Sequence, residues 1–215
     1  MGLGGGPSEW DEYEWVRLPD LTFPEDRAGR RRSSGRRGDG PAEPGDDPAG
    51  PLARALTGWL ERHPLWQDGR SRRILLADLD NLRADPRHWR ARMAAVVALA
   101  RQADTVVLAG QVGAVARAQP HLEEFAGSAV AVPDGSDLAD HELLRGVKRI
   151  RARNVQVLLV SNDRIFATLA ERGPLLVLSP GRAALSTRLA EAATRVVDLA
   201  ELEEDLDGAL AVPAG

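Results

Sequence analysis

Three aspartates stand where an α/β protein does its chemistry. Asp78 ends the apolar run Ile74-Leu-Leu-Ala-Asp78-Leu-Asp80-Asn81, Asp163 follows the run Val155 to Val160, and Asp140 opens a long amphipathic stretch after Val132. In a parallel sheet covered by helices, ligands bind beyond the carboxyl ends of the strands, near the point where the strand order reverses. Carboxylates arriving there from three distant segments offer an all-oxygen set for one hard divalent cation, Mg2+ or Mn2+. Singly, each is also the residue type that caps a helix by accepting from unpaired amides. Asp140 departs from that role. With Leu144 and Val147 at i+4 and i+7, it shares an apolar stripe with Leu143 and Ile150. A carboxylate facing inward needs a partner, and an ion shared with Asp78 and Asp163 would supply one. Ser136 and Asp137, just ahead of this stretch, are expected to cap it. Its other side carries Arg145, Arg149 and Arg153 at i, i+4 and i+8, with Lys148 beside them. Such a stripe is either a solvated face or a surface that holds a phosphate backbone leading to the site.

The elements that would position these residues are legible as alternating apolar runs and amphipathic stretches after Ser71, the pattern of a parallel sheet between helices. Strands are expected at Ile74–Ala77, Thr105–Ala109, Ala129–Val132, Val155–Val160, Leu175–Leu178 and Arg195–Val197. A helix from Pro86 to Arg101 has Trp89, Met93, Val96, Val97 and Ala100 as its apolar side, and Pro suits its opening position. Pro120 should break the next helical stretch. Upstream, Leu52, Leu56, Trp59 and Leu60 repeat at helical spacing, so residues 51–70 read as a short packed helix and linker. Residues 1–50 are rich in Gly, Pro, Asp and Arg without sustained periodicity and are expected to form a disordered tail. Within it, the acidic aromatic patch Trp10-Asp-Glu-Tyr-Glu-Trp15 could fold onto a protein partner, as could the basic run Arg30 to Arg37. Residues 201–215 form an acidic C-terminal helix or tail.

Composition removes several classes. The chain has no cysteine, so disulfides, thiol nucleophiles and cysteine zinc sites are excluded. Its four histidines, His63, His88, His121 and His141, lack the i, i+4 spacing of a helical zinc site. A net charge of -4 means that any contact with nucleic acid is local rather than a bulk electrostatic effect. Neither a Walker sequence nor Gly-x-Gly-x-x-Gly follows the first strand, which sets aside a nucleotide-binding loop. With no apolar run of membrane-spanning length and no leader pattern, a soluble, cytoplasmic protein without membrane contact is expected. The sequence leaves open whether copies of the chain form a homo-oligomer.

Three short motifs, in order, resemble those of the NYN domain family, PIN-like ribonucleases. Asp78-Leu-Asp-Asn81 after a strand resembles the family's Asp-x-x-Asn opening, and Ala139-Asp140-His-Glu-Leu-Leu144 its internal Ala-Asp helix motif. Ser161-Asn-Asp163-Arg-Ile-Phe166, followed by Leu169 and Gly173, is similar to its Ser-x-Asp-x-Asp-Phe segment. The resemblance spans residues 73–199 and implies a three-layer αβα, PIN-like or Rossmann-like domain over 71–200 with a mainly parallel central sheet. It also implies that Asp78, Asp140 and Asp163 are catalytic acids binding Mg2+ or Mn2+, supported by Asn81, Ser161 and Asp137. RNA would be the substrate, bound through Arg145, Lys148, Arg149 and Arg153 and hydrolysed by a metal-activated water. The family's second Asp in the last motif is Ile165 here, which points to a slower enzyme, recruitment of Asp80, Asp137 or Glu142, or loss of catalysis.

Two other readings compete. Asp78-Leu-Asp80 also resembles the nucleophile and acid pair of haloacid-dehalogenase-like phosphatases, with Val160-Ser161-Asn162 similar to their second motif. Asn81-Leu82 replaces the expected Thr or Val, and no late Gly-Asp pair followed by an acid appears. The non-enzymatic reading is a degenerate NYN-like module that binds RNA or a protein, which Ile165 and the aromatic tail patch favour.

Overall fold

The computed structural model describes residues 16–17, 50–135, 137–152 and 154–211. Trp10 to Trp15, the run Arg30 to Arg37, Ser136 and Arg153 lie outside the described residues. Each apolar run becomes a strand: β2 (Arg72–Asp78), β3 (Thr105–Gln111), β4 (Ala129–Val132), β5 (Val155–Val160), β6 (Leu175–Ser179) and β7 (Arg195–Asp198). These six are mutually parallel, in the order β4-β3-β2-β5-β6-β7. A two-residue strand, β1 (Val16–Arg17), pairs antiparallel with β4 at the edge, within the segment read from sequence as tail. The chain builds outward from β2 in one direction through β4, then returns to β5 and builds the other way, so the strand order reverses between β2 and β5.

Side chains alternate across the strands, and the two resulting apolar faces are each sealed by helices. On one face Leu75, Ala77, Leu108, Leu158, Val160 and Leu176 pack with α1 (Gly50–Arg62), α2 (Pro86–Ala100), α3 (Val112–Ala118) and α6 (Leu199–Ala211). On the other, Ile74, Leu76, Ala109, Val157, Leu159 and Val177 pack with α4 (Leu138–Lys148), α5 (Thr187–Ala192) and the 3-10 stretch Arg164–Arg172. The architecture is therefore three-layer αβα. Leu52, Leu56 and Leu60 of α1 are fully buried, as their spacing requires. Asp85 caps α2 by accepting from Arg87 N–H at 2.9 Å and His88 N–H at 3.2 Å, with Pro86 at the first helical position. Pro120 breaks the second helical stretch into α3 and the 3-10 turns Gln119–His121 and Glu123–Ser128. The acidic C-terminal helix begins at Leu199 and buries Glu203, which forms a two-bonded ion pair with Arg92 of α2, both contacts at 2.8 Å. Among the described residues no helix is long and apolar enough to cross a membrane.

Two glycines fix how closely the elements around the sheet edge approach. A Cβ at Gly146 would lie 2.9 Å from a Val107 methyl, so α4 can lie this close to β3 only without a side chain there. At Gly110 it would lie 3.0 Å from Leu79 Cβ and 3.5 Å from Asp80 Oδ2, the turn that carries Asp78 to Asn81. The helix that presents Asp140 and the turn that presents Asp78 are both seated against β3 through these positions.

Candidate functional site

Register brings the first and third motifs together. Ala77 pairs with Val160, so the next residues of each strand, Asp78 and Ser161, emerge side by side at the point where strand order reverses. Asp78, only 3% exposed, accepts at Oδ1 from Asp80 N–H at 3.0 Å and Asn81 N–H at 3.4 Å. The Asn81 side-chain amide donates to Asp78 Oδ2 and also lies 3.4 Å from Ser161 Oγ. Ser161 Oγ in turn accepts the Asp163 N–H at 3.2 Å. One connected set of hydrogen bonds therefore runs from Asp78 through Asn81 and Ser161 to Asp163. The turn-capping role expected of a lone Asp is real for Asp78, and it leaves the carboxylate at the site.

Asp140 and Asp163 do not cap. Asp163 stands at the N-cap position of the Arg164–Arg172 stretch without a side-chain capping bond. Asp140, in the first turn of α4, is 6% exposed, and no hydrogen bond or ion pair among the described residues reaches its carboxylate. Burial, followed by the nearby charges of Asp78, Asp163, Asp137 and Asp80, pushes the Asp140 carboxyl up to about 8. Asp78 is pushed up to about 6, mainly by burial, with the Asn81 hydrogen bond pulling the other way. The three aspartates thus lie within electrostatic reach of one another at the carboxyl edge of the sheet, and Asp140 feels the charge of the other two.

Asp137 corrects the capping expectation. It occupies the N-cap position of α4, yet its side chain makes no capping bond, and its backbone sits in the left-handed region at φ 66°. That conformation costs an ordinary residue on the order of 1 kcal/mol and is retained where the surroundings require it. Here it sets the chain's entry into α4 while the exposed Asp137 side chain faces the cleft that Asp140 and Asp163 line. Ser136, the other expected cap, lies outside the described residues.

Asp80 and Glu142 point elsewhere. Asp80 Oδ2 accepts the Gln111 N–H at 2.8 Å, tying the turn to the end of β3, and Asp80 Oδ1 lies 3.8 Å from Arg83. Glu142, 4% exposed, pairs with Arg145 at 2.8 Å and Arg149 at 3.8 Å. Two arginines of the α4 stripe are therefore engaged by a carboxylate of their own helix, while Lys148 is exposed in its last turn. Arg153 lies outside the described residues.

The chain matches no family model and no curated protein.

Asp137, Asp140 and Asp163 open onto a cleft of about 440 Å³ that is also lined by Arg164, Ile165, Thr168 and Arg188. Neither arginine has an acidic partner among the described residues, and both are exposed. The cleft's lining thus carries both acids and bases. Arg164 directly follows the motif residue Asp163, which is the signal the sequence offers for it. Nothing in the sequence singles out Arg188, which arrives from α5, beyond the sixth strand. Asn162 is a further supporting residue: its side-chain N–H donates to Gly181 O at 3.2 Å, and its Oδ1 accepts from Ser179 Oγ at 2.6 Å. Its carbonyl also accepts the Ser186 N–H at 3.0 Å, so it joins the Asp163 loop to the segment that leads into α5 and Arg188.

Proposed function

We propose that the chain is a metal-dependent ribonuclease of the NYN, PIN-like type. The observation that carries the reading is Asp140: a nearly buried carboxylate without a cationic partner among the described residues, within electrostatic reach of Asp78 and Asp163 near the sheet's switch point. Such a group is costly as an anion unless a positive charge is brought to it. Among the described residues no three Asp, Glu or His side chains stand as a ready ligand set. What supports a hard divalent cation is the donor chemistry, all carboxylate oxygen from three separate elements, with no Arg or Lys paired to Asp140 among the described residues. Asp78, Asp140 and Asp163 would hold Mg2+ or Mn2+, with the exposed Asp137 carboxylate on the same cleft to take over from the family acid that is Ile165 here.

When bound, the ion supplies Lewis-acid activation of water and offsets charge on the attacked phosphate. The protein's own part is positional. Asn81 and the Asp80 and Asn81 amides fix the orientation of Asp78, and Ser161 fixes the backbone of Asp163. Arg164 and Arg188 line the same cleft as the acids, where their guanidinium groups would hold non-bridging phosphate oxygens and orient the phosphodiester. Arg145 and Arg149 are less available for that work, since Glu142 holds them. The phosphatase alternative is weakened by Asp80, whose Oδ2 is committed to Gln111 rather than turned to the cleft as an acid.

The test is cleavage of labelled single-stranded RNA with Mn2+ or Mg2+. Asp78→Asn, Asp140→Asn and Asp163→Asn should each abolish it, because an amide is a poor ligand for a hard cation, whereas Asp80→Asn should retain partial activity. A wild-type protein that cleaves none of several RNAs with either ion would leave the degenerate binding module as the reading. The tail patch Trp10 to Trp15 would then be the first place to seek a protein partner.

A further inference from the structure

A second groove opens on the opposite flank of the acidic cluster, and the reading above makes no use of it. It encloses about 260 Å³ between the Asp78–Asn81 turn, the first turns of α3 and the start of α2, with Arg83, Trp89, Val112, Arg117 and Asp134 among its walls. The groove is continuous with the cluster through Asp80, which bonds Asp78's turn on one side and the Gln111 N–H of the groove wall on the other. Arg117 lies over the Trp89 ring at 5.5 Å and has no acidic partner among the described residues. The Arg83 side chain is largely exposed and lies 3.8 Å from Asp80. Val112, at 42%, is the one large apolar side chain exposed among the described residues. Two exposed arginines line the groove with a single acid, Asp134, Asp80 touching Arg83 from behind the wall, and they stand beside an exposed apolar side chain and an indole that one of the guanidinium groups overlies.

We infer that this groove holds a single-stranded segment of the RNA next to the scissile phosphate, with Arg83 and Arg117 on its phosphates and one base resting on the Arg117 and Val112 surface. The inference rests on the nuclease reading for the identity of the ligand as RNA, while the groove itself is argued from its own residues. Sequence-tolerant binding of single strands combines these two elements, cations tracking the backbone and flat or apolar side chains meeting base faces. The groove is small, about 260 Å³, with Trp89 of α2 and Asp134 both in its lining, which suits one unstacked nucleotide rather than a duplex. With Arg164 and Arg188 across the cluster, a strand would pass over the aspartates with cations on both sides.

The experiment measures binding of a fluorescently labelled twelve-nucleotide oligouridylate by anisotropy in EDTA, so that no cleavage intervenes. Arg83→Gln with Arg117→Gln should weaken binding about tenfold at low salt and reduce the slope of log affinity against log salt by about 1.4, since each phosphate contact on a single strand contributes about 0.7. Val112→Glu, a surface change that leaves the fold intact, should weaken it in the same direction. A duplex of the same length should compete poorly. Unchanged affinity and slope in the double variant and in Val112→Glu would overturn the inference, as would equal competition by duplex or a wild type that binds no RNA. Binding that depends on these residues in a protein that never cleaves would uphold the groove and overturn the nuclease reading alone. Cleavage that depends on Asp78 but is indifferent to all three groove substitutions would do the reverse.

Discussion

Replacing Asp140 by asparagine should make the metal-free protein more stable at high pH, although it destroys the proposed site. The carboxyl is pushed up to about 8 in the folded protein by burial and by Asp78, Asp163, Asp137 and Asp80, against about 3.9 in an unfolded chain. A raised carboxyl means that the folded state holds the extra proton. Its contribution to stability is therefore complete below about pH 4, is lost as pH rises from there to about 8, and is absent above that. Between pH 5 and pH 8 the ceiling is three pH units at about 1.4 kcal/mol each, or about 4 kcal/mol. Water in the cleft screens part of this, and about half, some 2 kcal/mol, is the expected effect. For a domain of this size that is about 6 °C in melting temperature. The measurement is thermal or urea unfolding of the wild type and Asp140→Asn in EDTA at several pH values from 5 to 8. Comparing how the difference between the two proteins changes with pH cancels the constant cost of placing an amide there. Adding Mn2+ at pH 8 should then raise the wild type's melting temperature and leave the variant's nearly unchanged, since only a ligand that binds the folded state stabilises it. A stability difference that stays flat across this pH range would show that Asp140 titrates as an ordinary carboxyl, and the crowding on which the site is argued would be wrong.

Two further outcomes bear on the fold and on the departure from the family pattern. Glu203→Gln should destabilise the protein by about 3–5 kcal/mol in urea unfolding, because Arg92 would be left buried and uncompensated, whereas replacing both with Met should cost far less; equal losses in the two variants would mean the pair is not the contact that docks α6. Ile165→Asp restores the residue type the NYN resemblance expects on the cleft wall, and should lower the Mn2+ concentration needed for half-maximal RNA cleavage several-fold at a cost of about 1 kcal/mol in stability from lost apolar contact; an unchanged Mn2+ requirement would mean that Ile165 does not face the ion.

The sequence alone determined the sheet, because its information is local. Runs such as Val155 to Val160 have only one good use in a three-layer fold, the buried interior of a parallel sheet, and all six expected strands lie where their apolar runs stand. The Asp85-Pro86 start of α2 and the Pro120 break are equally local, one a side chain accepting its own helix's amides, the other a missing N–H. Asp140's inward direction was also legible, since helical periodicity fixes which face a residue shares with its neighbours. What a carboxylate does once it points inward is not a local property. Asp137 has the residue type and place of a cap, and only the left-handed entry into α4 takes its side chain off the amides and leaves it at the cleft. Glu142 is one helical turn from the same end and reads as an equal candidate, yet its direction around α4 delivers it to Arg145 and Arg149. Arg188 and Arg117 come from opposite ends of the sheet order, and nothing in their surroundings along the chain marks them. Their neighbours across space were chosen by the reversal of strand order between β2 and β5, which gathers both flanks around Asp78. Spacing along a chain sets which face a side chain takes; only the packed fold sets what charge it meets there.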